Sequence, residues 1–340
     1  MRYVRFPLMI PFSLVLFLIF IGSFSGCIEE ETANNSFDRQ HFNPNDIFVS
    51  QDGNGDFTSI QDAIDASKDN DAIRIIEGVY KENLLVNKSV YLIGINPEKT
   101  IIDGNTQANV IDITAENVII SNVTVQHSGL DYGHPEFNAG FNITSNNNEI
   151  TNCIIQNNSV GIYIENQGEN LISYNHIINN RYGMYTTSTK NNVISNNTIH
   201  SSGIYGIYLN TLTEHTILQN NTFLHNNGGV RVKSNENIFV RNVFKNNKGG
   251  LYFCCGALEN MVYHNTFINN SNYHGKGNFL DNSWFKWLPV GGNYWDDYEG
   301  IDENGDGIGD SIYIIHERDS LGYNQTIEDR YPLMNPIVMS

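Results

Sequence analysis

The chain has 340 residues and a formal net charge of −18, with 40% apolar and 16% charged residues. Such an acidic protein repels nucleic acid, because phosphate contacts require clustered Lys and Arg, and it repels polyuronates such as pectin or alginate unless a cation bridges them. The regular alternation of its apolar residues also excludes a disordered chain.

The N-terminus predicts export. Residues 1–27 form a signal peptide pattern, with basic residues before a long apolar run. Small residues then lead to Cys27 in a sequence that resembles a lipobox, whose cysteine is lipidated; the alternative is an uncleaved membrane anchor. Residues 28–45 are typical of an acidic linker. We therefore expect the remainder on the periplasmic or extracellular face, tethered to the membrane.

A short strand at 47–49 precedes a helical pattern at 59–66, with Ile60, Ala63 and Ile64 on one face. We expect this helix to close the open end of a repetitive fold. Short β-rich runs follow, separated by Gly, Asn, Asp and Pro. They cover residues 72–76, 83–86, 90–94, 100–103, 110–113 and 118–125.

One pattern then returns about every 22 residues between positions 116 and 270. Its anchoring Asn residues are Asn152, Asn175, Asn197, Asn221, Asn242 and Asn265. A second column keeps the same period and consists of Gly161, Gly183, Gly206, Gly229 and Gly250. This period predicts an all-β solenoid over residues 46–283, with coils stacked ~4.8 Å apart.

Residues at the same position of successive coils form columns along such a stack. Two positions after each anchoring Asn we expect an interior apolar column of Ile154, Ile177, Ile199, Phe223, Phe244 and Phe267. The Asn residues themselves are expected to adopt turn conformations and to hydrogen-bond amide to amide as a ladder. An insertion at 127–136 interrupts the period.

Residues 284–340 predict an aromatic and acidic C-terminal cap. Its loop has the front half of an EF-hand pattern, with Asp302, Asn304, Asp306, the carbonyl of Ile308 and Asp310 as Ca²⁺ ligands. Position 12 of the pattern is Tyr313, so another carboxylate must replace the usual Glu, and the candidates are Asp296, Asp297 and Asp329. The alternative is an acidic turn without an ion.

The repeat and the tail together resemble the NosD-like family, and this resemblance implies a right-handed, single-stranded parallel β-helix. The tail residues that carry the resemblance are 292–298, 302–310 and 329–334. The family is named for a periplasmic copper-binding accessory protein of nitrous-oxide reductase maturation, so the resemblance implies copper handling. Residues 51–65 are similar to the start of pectin methylesterases, but the catalytic motifs of those enzymes are not found, so only the fold is implied.

One outward column offers a ligand-binding surface. It consists of Tyr163, Tyr185, Tyr208, Arg231 and Tyr252. Such a column could bind an extended glycan coil by coil, or the tyrosines could stack on one another and stabilise neighbouring strands.

Copper requires soft ligands. Cys153 and His176 are predicted at the same position of adjacent coils, about 5 Å apart by the stacking interval. Cys254 and Cys255 form a vicinal pair. The alternative is that the cysteines are small buried apolar residues.

For catalysis the best acid–base candidates are Asp131, His134 and Glu136 in the insertion. The favoured hypothesis is nevertheless a tethered, non-catalytic binding protein, whose partner is copper, a surface glycan or another cell-envelope component. The alternatives are a polysaccharide-active enzyme (lyase, hydrolase or epimerase) and a structural cell-envelope protein.

Overall fold

The computed structural model describes residues 42–130, 138–277, 281–318 and 325–337. Within these residues the protein is an all-β parallel solenoid of about ten coils with almost no helix, as predicted. In chain order the elements are β1 (Ile47–Val49), α1 (Ile60–Ala66), β2 (Ala72–Ile75), β3 (Gly78–Tyr80), β4 (Leu84–Val86), β5 (Tyr91–Gly94), β6 (Thr100–Asp103), β7 (Ile111–Ile113), β8 (Ile119–Ser121), β9 (Thr124–Gln126), β10 (Ala139–Ile143), β11 (Glu149–Thr151), β12 (Ile154–Gln156), β13 (Val160–Glu165), β14 (Leu171–Ser173), β15 (His176–Ile178), β16 (Tyr182–Thr187), β17 (Val193–Ser195), β18 (Thr198–His200), β19 (Tyr205–Leu209), β20 (Ile217–Gln219), β21 (Thr222–Leu224), β22 (Gly228–Val232), β23 (Ile238–Val240), β24 (Val243–Lys245), β25 (Gly249–Phe253), β26 (Met261–Tyr263), β27 (Thr266–Ile268), β28 (Tyr273–Gly277), β29 (Tyr294–Trp295), β30 (Tyr313–Arg318) and β31 (Gln325–Asp329).

Three parallel sheets run along the stack, because each regular coil contributes one strand to each sheet. Sheet 1 has the order β1-β2-β5-β8-β11-β14-β17-β20-β23-β26. Sheet 2 has the order β28-β25-β22-β19-β16-β13-β10-β7-β4, and sheet 3 has β29-β27-β24-β21-β18-β15-β12-β9-β6-β3. β30 and β31 form a separate antiparallel pair.

The N-terminal helix forms where its apolar period predicts it. Its side-chain cap is Ser59, which accepts a hydrogen bond from the backbone N–H of Asp62. Ile60, Ala63 and Ile64 are fully buried in the main core, so the predicted face is the buried one. The predicted run at 118–125 is two strands, β8 and β9, because the chain turns between them at Asn122, which has a φ of 57°.

The interior apolar column lies on sheet 3, with one correction. Ile155 pairs with Ile177 and is fully buried, whereas Ile154 pairs with His176 and is only partly buried. The column therefore consists of Ile155, Ile177, Ile199, Phe223, Phe244 and Phe267. Its Phe rings stack face to face with centroids 4.8 Å apart, and the stack continues through Trp295 to Tyr313 at 4.4 Å steps.

Buried Asn residues form three ladders rather than one, at the three corners of the coils. Ladder I consists of Asn148, Asn170, Asn192, Asn237, Asn260 and Asn282. Ladder II consists of Asn175, Asn197, Asn221, Asn242, Asn265 and Asn293. Ladder III consists of Asn158, Asn180, Asn226, Asn247 and Asn270, with Ser202 replacing Asn in its third coil.

The ladder geometry corrects the expected role of Asn152. In ladder II each Oδ1 accepts the backbone N–H and most often also the Nδ2–H of the residue one coil earlier, while Nδ2 donates to a carbonyl oxygen near the corner. Asn175 accepts from the backbone N–H of Cys153, so Cys153 and not Asn152 precedes it in the column. The left-handed conformation belongs to the residue before the ladder position in the regular coils, such as Asn152 with a φ of 53°.

The glycine column lies on sheet 2. A Cβ on Gly161 would lie 2.4 Å from the carbonyl oxygen of Gly183, so a side chain does not fit there. Among the described residues, no helix is long and apolar enough to span a membrane.

Candidate functional site

The outward tyrosine column lies on sheet 2. Tyr163, Tyr185, Tyr208, Arg231 and Tyr252 pair in succession along neighbouring strands, and Tyr252 then pairs with Lys276. A second row of tyrosines lies beside them, and the sequence analysis did not identify it. It consists of Tyr182, Tyr205 and Tyr273.

The first half of this column is packed on itself. Tyr163 is 7% exposed and Tyr185 only 1%, and their ring centroids are 5.7 Å apart. Tyr185 meets Tyr182 and Tyr208 edge to face at 5.7 and 5.0 Å. Burial raises the pKa of Tyr163 to about 12. Rings covered in this way offer little flat surface to a glycan, so self-stacking explains this half.

The second half is built around Arg231. Its guanidinium lies 5.6, 5.0 and 5.9 Å from the ring centroids of Tyr205, Tyr208 and Tyr252. Its Nε donates to the Sγ of Cys254 over 3.2 Å, and its second terminal nitrogen lies 3.9 Å from the Sγ of Cys255. Arg231 therefore joins the tyrosine face to the vicinal cysteines.

The two thiols differ in their surroundings. Cys254 follows β25 directly and is buried, and burial raises the pKa of its thiol. Cys255 is exposed in a left-handed turn with a φ of 54°. A hydrogen bond from Cys254, followed by the influence of Arg231, lowers the pKa of the Cys255 thiol. The pair thus has one anchored sulfur and one accessible sulfur that forms a thiolate more readily.

The predicted Cys153–His176 pair is wrong. His176 pairs with Ile154 and points outward, whereas Cys153 occupies the ladder position that precedes Asn175. Cys153 is buried, and desolvation raises the pKa of its thiol to about 12. The one-residue shift places the two side chains on opposite sides of the backbone.

The C-terminal end contains a cluster that sequence reasoning did not find. His274, Asp296 and Asp297 bring ligand-type atoms within 4.8 Å of one another. The Nε2 atom of His274 lies 2.9 Å from Oδ1 of Asp296 and 3.6 Å from Oδ1 of Asp297. Tyr313 donates its O–H to Oδ1 of Asp297 over 2.9 Å. The residues are distant in sequence, so no local motif indicates them.

The predicted calcium loop folds on its own carboxylates. Asp302 accepts backbone N–H groups from Gly305, Asp306 and Gly307. Asp310 accepts the N–H of Glu303. These contacts hold the loop in a tight turn, and Ca²⁺ binding there stays a prediction.

The three carboxylates considered as a replacement for the twelfth ligand are engaged elsewhere. Asp296 and Asp297 belong to the His274 cluster. Asp329 is fully buried and accepts hydrogen bonds from Asn293, Trp295 and Tyr331. Desolvation raises its pKa to about 6.

Four of the predicted site residues lie outside the described residues. They are the lipidation candidate Cys27 and the acid–base candidates Asp131, His134 and Glu136.

These features define a parallel β-solenoid with a thiol pair on one outer face and a polar cluster at its C-terminal end. A family model described as "Periplasmic copper-binding protein (NosD)" matches residues 31–190 and 82–300, which is most of the chain. The protein therefore belongs to the NosD family.

Two curated relatives match parts of the chain. A probable ABC transporter binding protein NosD of Stutzerimonas stutzeri is 32% identical over 78 residues, covering 23% of this chain and 17% of the relative. A cell surface glycoprotein of Methanothermus fervidus is 28% identical over 305 residues, covering 70% of this chain and 51% of the relative. The chain thus spans at most about half the length of either.

The similarity of this chain to solved structures concerns the fold alone. A PL6-family alginate lyase, AlyGC, in a substituted form, matches with a TM-score of 0.51 and 18% identity over 73% of this chain and 38% of the lyase. The A-module of the mannuronan C-5 epimerase AlgE4 of Azotobacter vinelandii matches with a TM-score of 0.49 and 15% identity over 64% and 75% of the two chains.

Proposed function

We propose that this protein is an exported, membrane-tethered copper-handling protein that binds Cu(I) as cargo at Cys254 and Cys255. The export pattern in its sequence supports the location, as do the periplasmic description of its family and the cell-surface description of one relative. The observation that carries the proposal is the contact of Arg231 with both sulfurs of a vicinal thiol pair in which Cys255 is exposed.

The donor set suits a soft cation. Thiolates select Cu(I) over hard cations, whereas a structural Zn²⁺ site needs four protein ligands. Among the described residues, the His274 cluster alone assembles three or more His, Cys, Asp or Glu ligands, and it does not include these thiols. A site with two protein donors leaves the ion open to exchange, as a cargo site requires.

Arg231 supplies the charge balance. Two thiolates around one Cu(I) carry a net charge of −1, and both sulfurs must lose their protons on binding. The guanidinium lies within 3.9 Å of each sulfur and remains charged at all relevant pH values. Its contacts with three tyrosine rings hold it in that position.

The test is a titration of the reduced protein with Cu(I) under anaerobic conditions, in competition with a chromophoric chelator. We expect close to one equivalent bound by the unsubstituted protein and by Cys153→Ser, which removes a buried thiol outside the site. The double substitution of Cys254 and Cys255 by Ser should abolish this binding. Undiminished binding in the double variant, or none in the unsubstituted protein, would refute the proposal.

A further inference from the structure

A second site lies where sheet 2 meets the C-terminal strand pair. β28 and β30 border a cavity of about 510 Å³, and its lining includes Asn272, Tyr273, Lys276, Asp297 and Tyr313. The lining is mainly polar and contains one carboxylate and one ammonium group. Neither the thiol pair nor the predicted calcium loop contributes to it.

Ladder III ends at this cavity and determines which ring nitrogen of His274 carries the proton. Oδ1 of Asn270 accepts from the backbone N–H and the Nδ2–H of Asn247, so the orientation of the Asn270 amide is determined by the ladder. Its Nδ2 then donates to the carbonyl of Phe244 and lies 3.1 Å from Nδ1 of His274. Nδ1 of His274 therefore occupies the acceptor position that the next Asn of a ladder would provide.

An acceptor at Nδ1 leaves the proton of the neutral ring on Nε2. That Nε2–H points at Oδ1 of Asp296 over 2.9 Å. The reverse ring orientation would lose both hydrogen bonds. A divalent metal would need the lone pair of Nε2 and would force a proton onto Nδ1, against the N–H of Asn270. The ladder thus makes His274 a hydrogen-bond donor and opposes a metal centre here.

The two carboxylates have different roles. Both oxygens of Asp296 have a partner, because Oδ1 faces His274 and Oδ2 accepts the backbone N–H of Asn269 over 2.7 Å. Asp297 uses Oδ1 for Tyr313, whose ring ends the buried aromatic stack on Trp295. Within the described part of the chain, Oδ2 of Asp297 has no hydrogen-bond partner, and this side chain is 58% exposed. Asp297 is a carboxylate held in place with one oxygen left for a ligand.

We propose that this cavity binds a single sugar residue through Asp297. A carboxylate oxygen accepts hydrogen bonds from sugar hydroxyls, while the ammonium of Lys276 and the amide of Asn272 donate to sugar oxygens. Lys276 lies 5.6 and 5.9 Å from the ring centroids of Tyr252 and Tyr273, which places it at the aromatic face. Asp297 disfavours an anionic ligand and Lys276 a cationic one, whereas hydroxyl groups satisfy both.

The experiment is saturation-transfer NMR followed by titration of the full chain. The probes are the methyl glycosides of glucose, galactose, mannose and N-acetylglucosamine. We expect at least one to bind and Asp297→Asn to weaken that binding at least tenfold, because Nδ2 replaces the free acceptor oxygen at constant volume. Asp281→Asn, an exposed carboxylate that lines a different cavity, should bind as the unsubstituted protein does.

Circular dichroism of each variant separates misfolding from loss of the site. Binding by none of the four probes, or equal binding by Asp297→Asn, would overturn the proposal. Stoichiometric Zn²⁺ or Mn²⁺ binding that Asp297→Asn abolishes would overturn it too, since it would show a metal centre. The double Cys254 and Cys255 variant should keep sugar binding, so this inference stands or falls independently of copper.

Discussion

The regular coils at 138–277 and the closing segment, described at 281–318 and 325–337, satisfy their buried polar groups in different ways. In the coils, most ladder amides are paired with another amide one coil away, as Asn197 is with Asn221, whereas Ser202 and Thr216 interrupt ladders III and I. After the last coil, no further Asn is available to continue each ladder. Ladder II then ends on Asp329 and ladder III on His274, each of which is ionisable. Repetition lets neutral amides satisfy most of one another's hydrogen bonds, whereas the last coil needs polar residues of other types to do so.

The largest effect is expected from breaking a ladder in its middle. Asn221→Ala removes the acceptor for the backbone and side-chain N–H groups of Asn197 and the donor to the carbonyl of Ile194. Because these groups are buried, we expect a loss of about 4 kcal/mol in the free energy of unfolding. Chemical denaturation measures it, and Asn304→Ala in the exposed loop is the control. A loss similar to that of the control would show that the ladder does not stabilise the coils.

The end of ladder II should make stability depend on pH. The pKa of Asp329 is about 6 in the folded protein against an ordinary 3.8, so the folded state binds more protons than the unfolded state between these values. Its contribution is therefore full below pH 3.8 and is lost as pH rises through 6. We expect a loss of about 3 kcal/mol over this window, at about 1.4 kcal/mol per pKa unit.

The measurement is the free energy of unfolding at several pH values in the unsubstituted protein and in Asp329→Asn. The variant should lack this component of the pH dependence. Parallel curves for the two proteins would mean that Asp329 is not the titrating group.

The closing segment should also respond to Ca²⁺ if the loop at 302–310 binds it. Saturating Ca²⁺, at about 100 times its dissociation constant, should stabilise the protein by about 2.7 kcal/mol. Asp302→Ala should abolish the shift in melting temperature, because Asp302 supplies the first predicted ligand and also orders the loop. No shift in the unsubstituted protein would support the ion-free acidic turn.

The smallest effect is expected from extending ladder II by one Asn. Cys153 occupies a ladder II position, where its thiol donates to the carbonyl oxygens of Thr151 and Ile120 over 3.3 and 3.8 Å. A thiol is a weak hydrogen-bonding group, so Cys153→Asn should place a stronger donor and a stronger acceptor there and stabilise the fold by about 1 kcal/mol. Thermal unfolding of the variant measures this change. Destabilisation would indicate that this coil has no room for the amide.

The same position shows the limits of the sequence pattern. A period near 22 predicted the coils, and the Tyr163–Tyr252 column aligns in the structure as its spacing requires. Asn152 and Cys153, however, are adjacent, and only the first is Asn. The sequence pattern therefore assigned the ladder position to Asn152, whereas the structure assigns it to Cys153. In a strand that error reverses the direction of each side chain, which is why Ile154 and the Cys153–His176 pair were misplaced.

The sequence by itself determined the stacked coils. The same residue types recur at one period over five or six repeats, and only a solenoid aligns all of them in columns. It also placed the helix at Ile60–Ala66 and the exposed acidic loop. Only the tertiary structure showed which polar and charged side chains meet on the outer faces and at the C-terminal end of the solenoid. Arg231 meets Cys254 across 23 positions, and His274 meets Asp296 across 22. Such pairs form because adjacent coils stack and because the regular repeat ends at the closing segment. No local sequence spacing indicates them.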